Sequence, residues 1–230
     1  MKEEKKIGVI IPAFNEENSV GNVIKDIPKW VDKIVVVNNN STDETKIKAE
    51  NCGAIVIDEP INGYGRACLK GIQFFKSSEE KPDIIVFIDA DYSDYPEEME
   101  QLVKPILIEN VDLVIGSRAL GKREKGSMTF PQIFGNWLAT SLLKLIYGIK
   151  YTDLGPFRAI KFEKLLALNM ADKTYGWTVE MQLKAAKQKM KITEVPVNYR
   201  KRIGFSKISG TVKGTILAGY KILTTIFKYM

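Results

Sequence analysis

The chain has 230 residues, 45% of them hydrophobic, and carries 34 lysines and arginines against 28 aspartates and glutamates, a net charge of +6. This length and apolar content exclude a disordered chain and suit one large domain or two small ones. The sequence contains no histidine and two cysteines. It therefore excludes Ser-His-Asp catalysis and histidine-ligated zinc, so any metal must be a hard cation held by oxygen atoms.

The charges are divided unevenly along the sequence. Residues 1–115 carry 13 basic and 22 acidic side chains, a net charge of −9, whereas residues 116–230 carry 21 and 6, a net charge of +15. The acidic half suits a bound cation and the basic half suits an anionic partner. Nucleic acid, anionic lipid and a phosphorylated substrate all remain open as that partner.

Apolar strand patterns alternate with helix patterns through the first half. Strands are predicted at 6–12, 33–38, 54–59, 83–90 and 111–117, and helices at about 17–28, 41–50, 64–76 and from residue 96 onward. The strands are continuous in valine and isoleucine, which is typical of strands covered by helices on both faces. This order predicts an α/β fold with a mostly parallel, doubly wound sheet and a ligand site at the carboxyl ends of the strands.

The pattern is less regular after Arg118. Helices are predicted at 131–149 and about 177–189, one or two strands at 191–202, and a helical tail at 209–230. The helix at 131–149 and the tail are apolar and rich in aromatic residues such as Trp137 and Tyr220. We expect both to lie in the headgroup layer of a membrane, with core packing and contacts between subunits as alternatives.

No apolar run reaches the ~18 residues that a spanning helix needs. The charged N-terminus followed by a short strand pattern is not typical of a secretory leader. The sequence therefore predicts a cytoplasmic protein that is peripheral on the cytoplasmic face of the membrane.

Asp89 and Asp91 flank Ala90 at the end of the buried strand pattern IIVFI. Alternate residues of an extended segment point the same way, so both carboxylates can face one divalent cation. Such an ion would bridge the phosphates of a nucleotide diphosphate and neutralise the leaving group. The alternative is an acidic turn that caps the next helix.

Three further polar motifs follow predicted strands. The amides in NNNSTD (38–43) suit recognition of a nucleotide base, or form a polar turn. The glycine-rich NGYGRA (62–67) opens a helix and permits close approach of a nucleotide, or is only a tight turn. Arg118 suits bidentate contact with a diphosphate, or lies on the surface.

Taken together, these motifs resemble a known family. The motifs IPAFNEE (11–17), NNNSTDET (38–45), NGYGRA (62–67), DAD (89–91) and GSR (116–118) resemble the inverting glycosyltransferases of family 2. Those enzymes have the GT-A fold, which binds nucleotide sugars. The later segments TDLGPFRAI (152–160) and RKRIGFSK (200–207) look like the dolichyl-phosphate mannose/glucose synthase branch.

The resemblance covers about residues 6–210 and implies a single catalytic domain over 1–230. Residues 1–117 would form the nucleotide-sugar-binding half, and residues 118–230 the acceptor and membrane-facing half with a C-terminal amphipathic helix. Residues expected at the nucleotide-sugar site are Pro12, Ala13, Asn15, Glu16, Asn39, Asp43, Gly63, Arg66, Asp89, Ala90 and Asp91. Asp89 and Asp91 would bind Mg²⁺ or Mn²⁺, and Arg118 would face phosphate.

Two departures from the family pattern bear on specificity. Asn38 and Asn39 replace the usual paired acids, which leaves UDP and GDP donors open, with UDP slightly favoured. Tyr92 and Ser93 replace the Leu-Gln that often follows the DAD motif in this branch. A third metal ligand at Ser93, or at Asp94 in its place, is therefore open.

The basic half predicts how an acceptor is held. A clamp for an acceptor phosphate is predicted from Arg158, Arg200, Lys201, Arg202 and Lys207, with a solvated basic strand end as the alternative. A lipid phosphate is already anionic and needs cations more than a base. If the acceptor is a hydroxyl, a base must remove its proton, and the candidates are Asp153 and Glu180. Either acid could instead order neighbouring arginines.

We therefore expect an inverting enzyme that moves a hexose from a UDP- or GDP-linked donor to a polyprenyl or dolichyl phosphate. Transfer to a hydroxyl of a saccharide or small molecule is the alternative. A nucleic-acid-binding module ranks third, because apolar aromatic helices beside the basic residues fit a membrane better. Nucleic acid is not expected as a partner, and a homo-oligomer remains open.

Overall fold

A computed structural model describes residues 5–204 and 212–229 of the chain. The strands are β1 (Ile7–Ala13), β2 (Lys33–Asn38), β3 (Ile55–Asp58), β4 (Ile84–Phe87), β5 (Leu113–Ser117), β6 (Arg158–Lys161) and β7 (Ile192–Pro196). The helices are α1 (Val20–Asp26), α2 (Thr45–Asn51), α3 (Tyr64–Ser77), α4 (Met99–Glu109), α5 (Phe130–Tyr147), α6 (Phe162–Ala167), α7 (Trp177–Lys187) and α8 (Val212–Lys228), with a short 3₁₀ helix at Pro96–Glu98 before α4.

The seven strands form one sheet in the order β3-β2-β1-β4-β6-β5-β7. All neighbouring pairs are parallel except those of β6, which runs antiparallel to both β4 and β5. The prediction of a mostly parallel α/β sheet is confirmed. The sequence patterns did not reveal β6, because a four-residue strand after an irregular loop carries little periodic signal.

Helices cover both faces of the sheet. On β1, Ile10 packs in the cluster that contains Phe75 of α3, whereas Val9 and Ile11 pack on the opposite face in the cluster that contains Val23 of α1. All of these side chains are essentially inaccessible to solvent. Strands buried on both faces need apolar residues at every position, which explains their continuous valine and isoleucine.

In the second half the predicted helices are present, but the strand structure is shorter than predicted. The helix predicted at 131–149 is α5, which begins with a capping box between Thr129 and Gln132 and ends where Gly148 adopts a left-handed conformation. The predicted strand region at 191–202 contains β7, followed by isolated bridges from Tyr199 to Asp94 and Arg123. The tail is helical from Val212 to Lys228, and residues 209–211 and 230 of the predicted helix lie outside the described residues.

Helix α8 packs against α5 and α7 through specific polar contacts. The Tyr147 hydroxyl donates to the Ile226 carbonyl, and the Tyr229 hydroxyl donates to Glu180 Oε1 at 2.6 Å. Lys221 Nζ lies 2.9 Å from Asp172 Oδ2. Within the described residues, each helix is too short or too polar to cross a bilayer. The hydrogen bonds of Tyr147 and Tyr229 place the tail helix in the packed structure, where both rings are partly buried.

Candidate active site

Two cavities open at the carboxyl edge of the sheet. The first, here the strand-end pocket, has a volume of about 250 Å³ and lies where β1, β2 and β4 end. Eight of the residues predicted to bind a nucleotide sugar line it: Pro12, Ala13, Glu16, Asn39, Gly63, Asp89, Ala90 and Asp91. Phe14, Asn62, Tyr64, Tyr175 and Arg202 complete the lining.

The second cavity, here the helix groove, has a volume of about 300 Å³ and is lined by residues of α5, α8 and the loops beside them. Arg118, Pro131, Leu154, Ala218 and Ile222 are among its lining residues. The two cavities share five lining residues, namely Tyr64, Asp89, Asp91, Tyr175 and Arg202. A molecule in the pocket and another in the groove would therefore meet at the paired aspartates.

Asp89 and Asp91 are held by different partners. Asp89 Oδ1 accepts a hydrogen bond from the Tyr64 hydroxyl at 3.0 Å. Asp91 Oδ1 accepts from the amide and the hydroxyl of Ser93, at 2.9 Å and 2.5 Å. Burial and the nearby charge of Asp91 raise the pKa of Asp89 to about 7. A cation beside these carboxylates would relieve that repulsion.

Arg202 supplies positive charge to the pocket. Its Nη2 lies 2.7 Å from Glu16 Oε1, and its Nη1 lies 3.2 Å from Asp91 Oδ2. Glu16 also accepts a hydrogen bond from the Ser19 hydroxyl at 3.0 Å. The guanidinium thus joins the loop after β1 to the loop after β4 at the wall of the strand-end pocket.

The donor chemistry of the pocket fits a hard cation. In residues 5–204 and 212–229 there is no group of three or more aspartate, glutamate or cysteine side chains arranged as a complete metal site. Mg²⁺ is commonly bound by one or two carboxylates, with substrate phosphates and water as its other ligands. Asp89 and Asp91 supply such a pair, so the residues present fit an ion that arrives with a phosphorylated ligand.

The two open candidates for a third ligand are placed differently. The Ser93 hydroxyl is already engaged with Asp91. Asp94 is buried, and neither of its carboxylate oxygens accepts a hydrogen bond within the described part of the chain. Burial and the charge of Asp89 raise the pKa of Asp94 well above its ordinary value. Asp94 does not line either cavity.

Three residues predicted at the nucleotide-sugar site do not line the pocket. Asn15 Oδ1 accepts from the Thr42 amide at 2.8 Å, and Asp43 Oδ2 accepts from the Glu17 amide at 3.2 Å. Both contacts tie the loop after β1 to the loop after β2. The Arg66 amide donates to the Lys173 carbonyl and fixes the start of α3. All three residues are thus placed to support the pocket walls.

Asn39 lines the pocket and also holds the loop before α3. Its amide nitrogen donates to the carbonyls of Glu59 and Ile61, at 3.2 Å and 2.8 Å, and its Oδ1 accepts from the Gly63 amide at 2.7 Å. Its hydrogen-bonding groups are largely used in these contacts. This observation weakens the idea that the Asn39 amide reads a base edge.

Arg118 lies in the helix groove and is bound to Asp153. Its Nε and Nη2 donate to the two carboxylate oxygens of Asp153 at 2.8 Å and 2.7 Å, and its guanidinium lies 5.1 Å from the ring centre of Tyr199. Burial alone would raise the pKa of Asp153, but the charge and hydrogen bonds of Arg118 hold it below its ordinary value. Asp153 orders the arginine and is a poor candidate for a base.

The assignment of Arg158 to a phosphate clamp needs correction. Its side chain is fully buried, and its guanidinium donates to the carbonyls of Leu154, Gly155 and Thr178. Burial also lowers its pKa. A guanidinium occupied by backbone carbonyls inside the protein cannot reach an acceptor phosphate, and Arg158 instead fixes the loop before β6.

The assignment of Glu180 as a base needs the same correction. Its carboxylate accepts from the amides of Ala171 and Asp172 and from the Tyr229 hydroxyl, and it pairs with Lys184 at 2.8 Å. The side chain is buried at the junction of α7 and α8. These contacts hold the pKa of Glu180 low although burial opposes the shift.

The remaining basic residues are dispersed. The Arg200 guanidinium is sandwiched between Tyr92 and Tyr95, 3.4 Å and 4.2 Å from their ring centres, and donates to the Tyr92 carbonyl. Lys201 is exposed, and its backbone amide donates to Glu124. Lys207 lies outside the described residues. Of the described cluster, only Arg202 reaches both cavities.

Sequence reasoning missed the tyrosines at the site. Tyr64 and Tyr175 line both cavities, and Tyr199 lies under Arg118. Tyr64 stands inside the NGYGRA motif, where its place between two glycines at a helix start was the available signal. Tyr175 and Tyr199 come from irregular segments, and nothing in the local pattern distinguishes them.

Comparison with known proteins identifies the family. Residues 8–168 match the family described as Glycosyl transferase family 2, and because this match spans most of the chain, the chain belongs to that family. An uncharacterized protein of Methanocaldococcus jannaschii is 34% identical and covers 95% of this chain and 89% of that protein. A UDP-N-acetylglucosamine--dolichyl-phosphate N-acetylglucosaminyltransferase of Methanococcus voltae is 30% identical over 95% of this chain and 94% of that protein.

Among solved structures, glucosyl-3-phosphoglycerate synthase from Mycobacterium tuberculosis superposes with a TM-score of 0.78 at 23% identity. The match covers 99% of this chain and 79% of that one. That protein was crystallised with Mn²⁺, uridine diphosphate and phosphoglyceric acid. The similarity confirms the GT-A fold.

Proposed function

We propose that this chain transfers a hexose, with inversion, from a nucleotide diphosphate sugar to the phosphate of a polyprenyl carrier. The observation that carries the proposal is the meeting of the strand-end pocket and the helix groove at Asp89, Asp91 and Arg202. The donor would occupy the pocket and the acceptor the groove. In this proposal residues 1–117 and 118–230 act together as one catalytic domain.

Asp89 and Asp91 would hold Mg²⁺ or Mn²⁺ together with the donor diphosphate. When bound, such an ion supplies positive charge that stabilises the departing nucleoside diphosphate. Arg202 already contacts Asp91, so it lies close enough to share that charge with the leaving group. The pocket suits a UDP or a GDP donor, and UDP is our slight preference.

The acceptor would be an anion that needs no deprotonation. Arg118 and Arg202 both line the helix groove and suit contact with a phosphate. Both carboxylates that the sequence offered as bases, Asp153 and Glu180, are engaged in ion pairs and hydrogen bonds. A phosphate oxygen is already a nucleophile near neutral pH, so this arrangement supports a phosphate acceptor over a hydroxyl.

A lipid chain on that phosphate is supported by the surface around the groove. Helices α5 and α8 line the groove and expose apolar side chains to solvent, namely Phe130, Ile133, Phe134, Trp137, Ile216, Leu217, Tyr220 and Phe227. Such helices suit the headgroup layer of a membrane. We therefore propose peripheral attachment at the cytoplasmic face, with the groove opening toward the lipid.

Two relatives have polyprenyl phosphate acceptors in their names. One is the Methanococcus voltae protein, and the other is an undecaprenyl-phosphate mannosyltransferase of Micrococcus luteus, 27% identical over 91% of this chain and 90% of that protein. The second candidate function is transfer to a hydroxyl on a small molecule. Its support is the fold match to an enzyme crystallised with phosphoglyceric acid, whose phosphate could also pair with Arg118.

A transfer assay separates the two candidates. Purified protein with Mn²⁺ would be given UDP- or GDP-linked hexoses and either a polyprenyl phosphate in vesicles or phosphoglyceric acid. We expect radiolabelled sugar to enter the lipid fraction as an acid-labile glycosyl phosphate. Transfer to phosphoglyceric acid alone, or donor hydrolysis without transfer, would overturn the lipid proposal.

A further inference from the structure

We infer that Tyr64 is a positioning residue that orients Asp89 toward the cation and the donor diphosphate. The inference rests on the proposed function and extends it to a residue that lies outside the DAD motif. Its basis is the hydrogen bond from the Tyr64 hydroxyl to Asp89 Oδ1 at 3.0 Å. Both residues line both cavities, so the contact lies where donor and acceptor would meet.

The hydrogen bond restricts the Asp89 carboxylate. A carboxylate on a short side chain can rotate and present either oxygen, or both, to a ligand. Because Oδ1 accepts a hydrogen bond from the phenolic hydroxyl, rotation of the carboxylate is restricted and Oδ2 is the less committed oxygen. Asp91 is fixed in a comparable way by Ser93, which bonds its Oδ1. Each member of the pair thus has one oxygen oriented by a hydroxyl neighbour.

The position of Tyr64 is itself fixed by the glycines on either side. A Cβ on Gly63 would lie 2.3 Å from the Lys173 carbonyl oxygen, and one on Gly65 would lie 2.1 Å from the Asp172 carbonyl oxygen. Gly63 also has φ +154°, a conformation that side-chain-bearing residues rarely adopt. Only glycines allow the start of α3 to pack this closely against the loop at 172–174.

Hydrogen bonds hold this contact on both sides. The Gly65 amide donates to the Thr174 carbonyl at 3.2 Å, and the Gly63 amide donates to Asn39 Oδ1 at 2.7 Å. The tyrosine is therefore presented from a backbone that is anchored to the end of β2 and to the loop before α7. A hydroxyl held by a rigid backbone fixes its partner better than one on a mobile loop.

Tyr64→Phe tests the inference because it removes the hydroxyl and keeps the ring. Residues that orient metal ligands typically alter metal affinity by roughly 10- to 100-fold when they are changed. We expect Y64F to weaken binding of Mn²⁺ in the presence of UDP by about tenfold. Electron paramagnetic resonance of free Mn²⁺ measures this directly, without any turnover.

Tyr92→Phe is the matched control. The Tyr92 hydroxyl also donates to a carboxylate, that of Asp26, but Tyr92 does not line either cavity. We expect Y92F to bind Mn²⁺ and UDP as the unaltered protein does. Thermal unfolding of both variants would show that the Y64F effect is not a loss of fold.

The outcomes separate this inference from the proposed function. If the unaltered protein binds Mn²⁺ with UDP and Y64F binds them equally well, Tyr64 does not position Asp89 and the inference fails alone. If the unaltered protein binds Mn²⁺ with neither UDP nor GDP, the donor site fails and the inference fails with it. If Y64F weakens binding but no sugar reaches lipid, Tyr64 keeps its role and only the acceptor assignment fails. A restored transfer rate for Y64F at high Mn²⁺ would further support positioning.

Discussion

The acidic residues near the cavities are held differently in the two halves of the chain. Before residue 118, Asp91 pairs with Arg202, whereas burial and the charge of neighbouring aspartates raise the pKa values of Asp89 and Asp94, and neither of these two forms an ion pair in the described residues. After residue 118, Asp153 and Glu180 are each paired with a cation and hydrogen-bonded to backbone amides. The first arrangement suits a cationic ligand, whereas in the second the carboxylates already have their partners.

The basic side chains show the complementary difference. The guanidinium of Arg158 donates to backbone carbonyls of the second half, and that of Arg200 donates to the Tyr92 carbonyl and lies over the Tyr92 ring. Arg118 and Arg202 are the two arginines of that half that line the helix groove in the described structure. The net charge of a half therefore says less about its ligand than the few charges that its packing leaves facing a cavity.

The largest effect on this comparison is expected from removing one of the paired aspartates of the strand-end pocket. We expect Asp91→Asn to reduce sugar transfer by about a thousandfold, because it removes charge that would hold the cation and the diphosphate. Asp58→Asn, which alters an exposed aspartate paired with Lys46, should leave transfer nearly unchanged. Initial rates at saturating Mn²⁺ measure both. Full activity in D91N would contradict a role for the pair in metal binding.

The next test concerns the arginine shared by the two cavities. Arg202→Met should lower kcat/KM by about a hundredfold, because a charge close to the leaving and attacking phosphates is lost. Binding of Mn²⁺ alone should not weaken, since Arg202 competes for Asp91 in the absence of ligand. Lys201→Met, at an exposed neighbouring position, is the control. Weaker binding of bare Mn²⁺ in R202M would show that Arg202 organises the pair instead of balancing its charge.

A smaller effect is expected for membrane binding by the acceptor half, residues 118–230. Replacing exposed Phe134 and Trp137 of α5 with alanine should reduce binding to vesicles by about tenfold, because their apolar area would be buried in the headgroup layer. Ile108→Ala, at an exposed position of α4, is the control. Sedimentation with vesicles measures the partition. Equal partition of the double variant and the unaltered protein would remove α5 from the membrane-facing surface.

The smallest effect should appear in the pH dependence of stability. The folded pKa of Asp89, about 7, lies above the unfolded value of 3.8, so the folded protein keeps a proton that the unfolded chain has released. Its contribution to the free energy of unfolding is therefore present at low pH and lost as pH rises from about 4 to about 7. Without metal, Asp89→Asn should be more stable than the unaltered protein at pH 8 by about 1 kcal/mol.

Denaturant unfolding of the two proteins at several pH values measures that difference. The difference is only about 1 kcal/mol because Asp89 is partly exposed to the pocket, where solvent screens its charge. The gap between D89N and the unaltered protein should close toward pH 4. A constant gap across the range would show that Asp89 ionises normally in the folded protein.

The first half has regular strands and the second half has irregular segments, and this difference determined which site residues the sequence could predict. The strands before residue 118 are rich in valine and isoleucine and are followed by polar motifs, so the positions of Asp89 and Asp91 followed from local pattern, and Pro12, Ala13 and Glu16 from family resemblance. The parallel sheet then brings these strand ends to one edge. Local sequence pattern is sufficient to predict such site residues where the strands are parallel, because their carboxyl ends meet at one edge of the sheet.

Fewer site residues of the second half could be predicted from the sequence, for a physical reason. Whether Arg158 faces a ligand or the interior depends on β6, a four-residue strand that places it against Phe87 and Ile115 in register. The role of Glu180 depends on where α8 packs, because the Tyr229 hydroxyl at the end of that helix donates to its carboxylate. No local sequence pattern encodes this contact. Tertiary contacts between distant segments decided these roles, and the sequence showed only that charged groups were available.

The most direct test of the account is a crystal structure of the chain with Mn²⁺ and an unreactive nucleotide diphosphate sugar. The account predicts the ion between the diphosphate and the carboxylates of Asp89 and Asp91, with the hexose directed toward the helix groove. It also predicts that Arg202 has left Asp91 for phosphate. A nucleotide sugar bound elsewhere, or bound with both carboxylates turned away from the ion, would contradict the account.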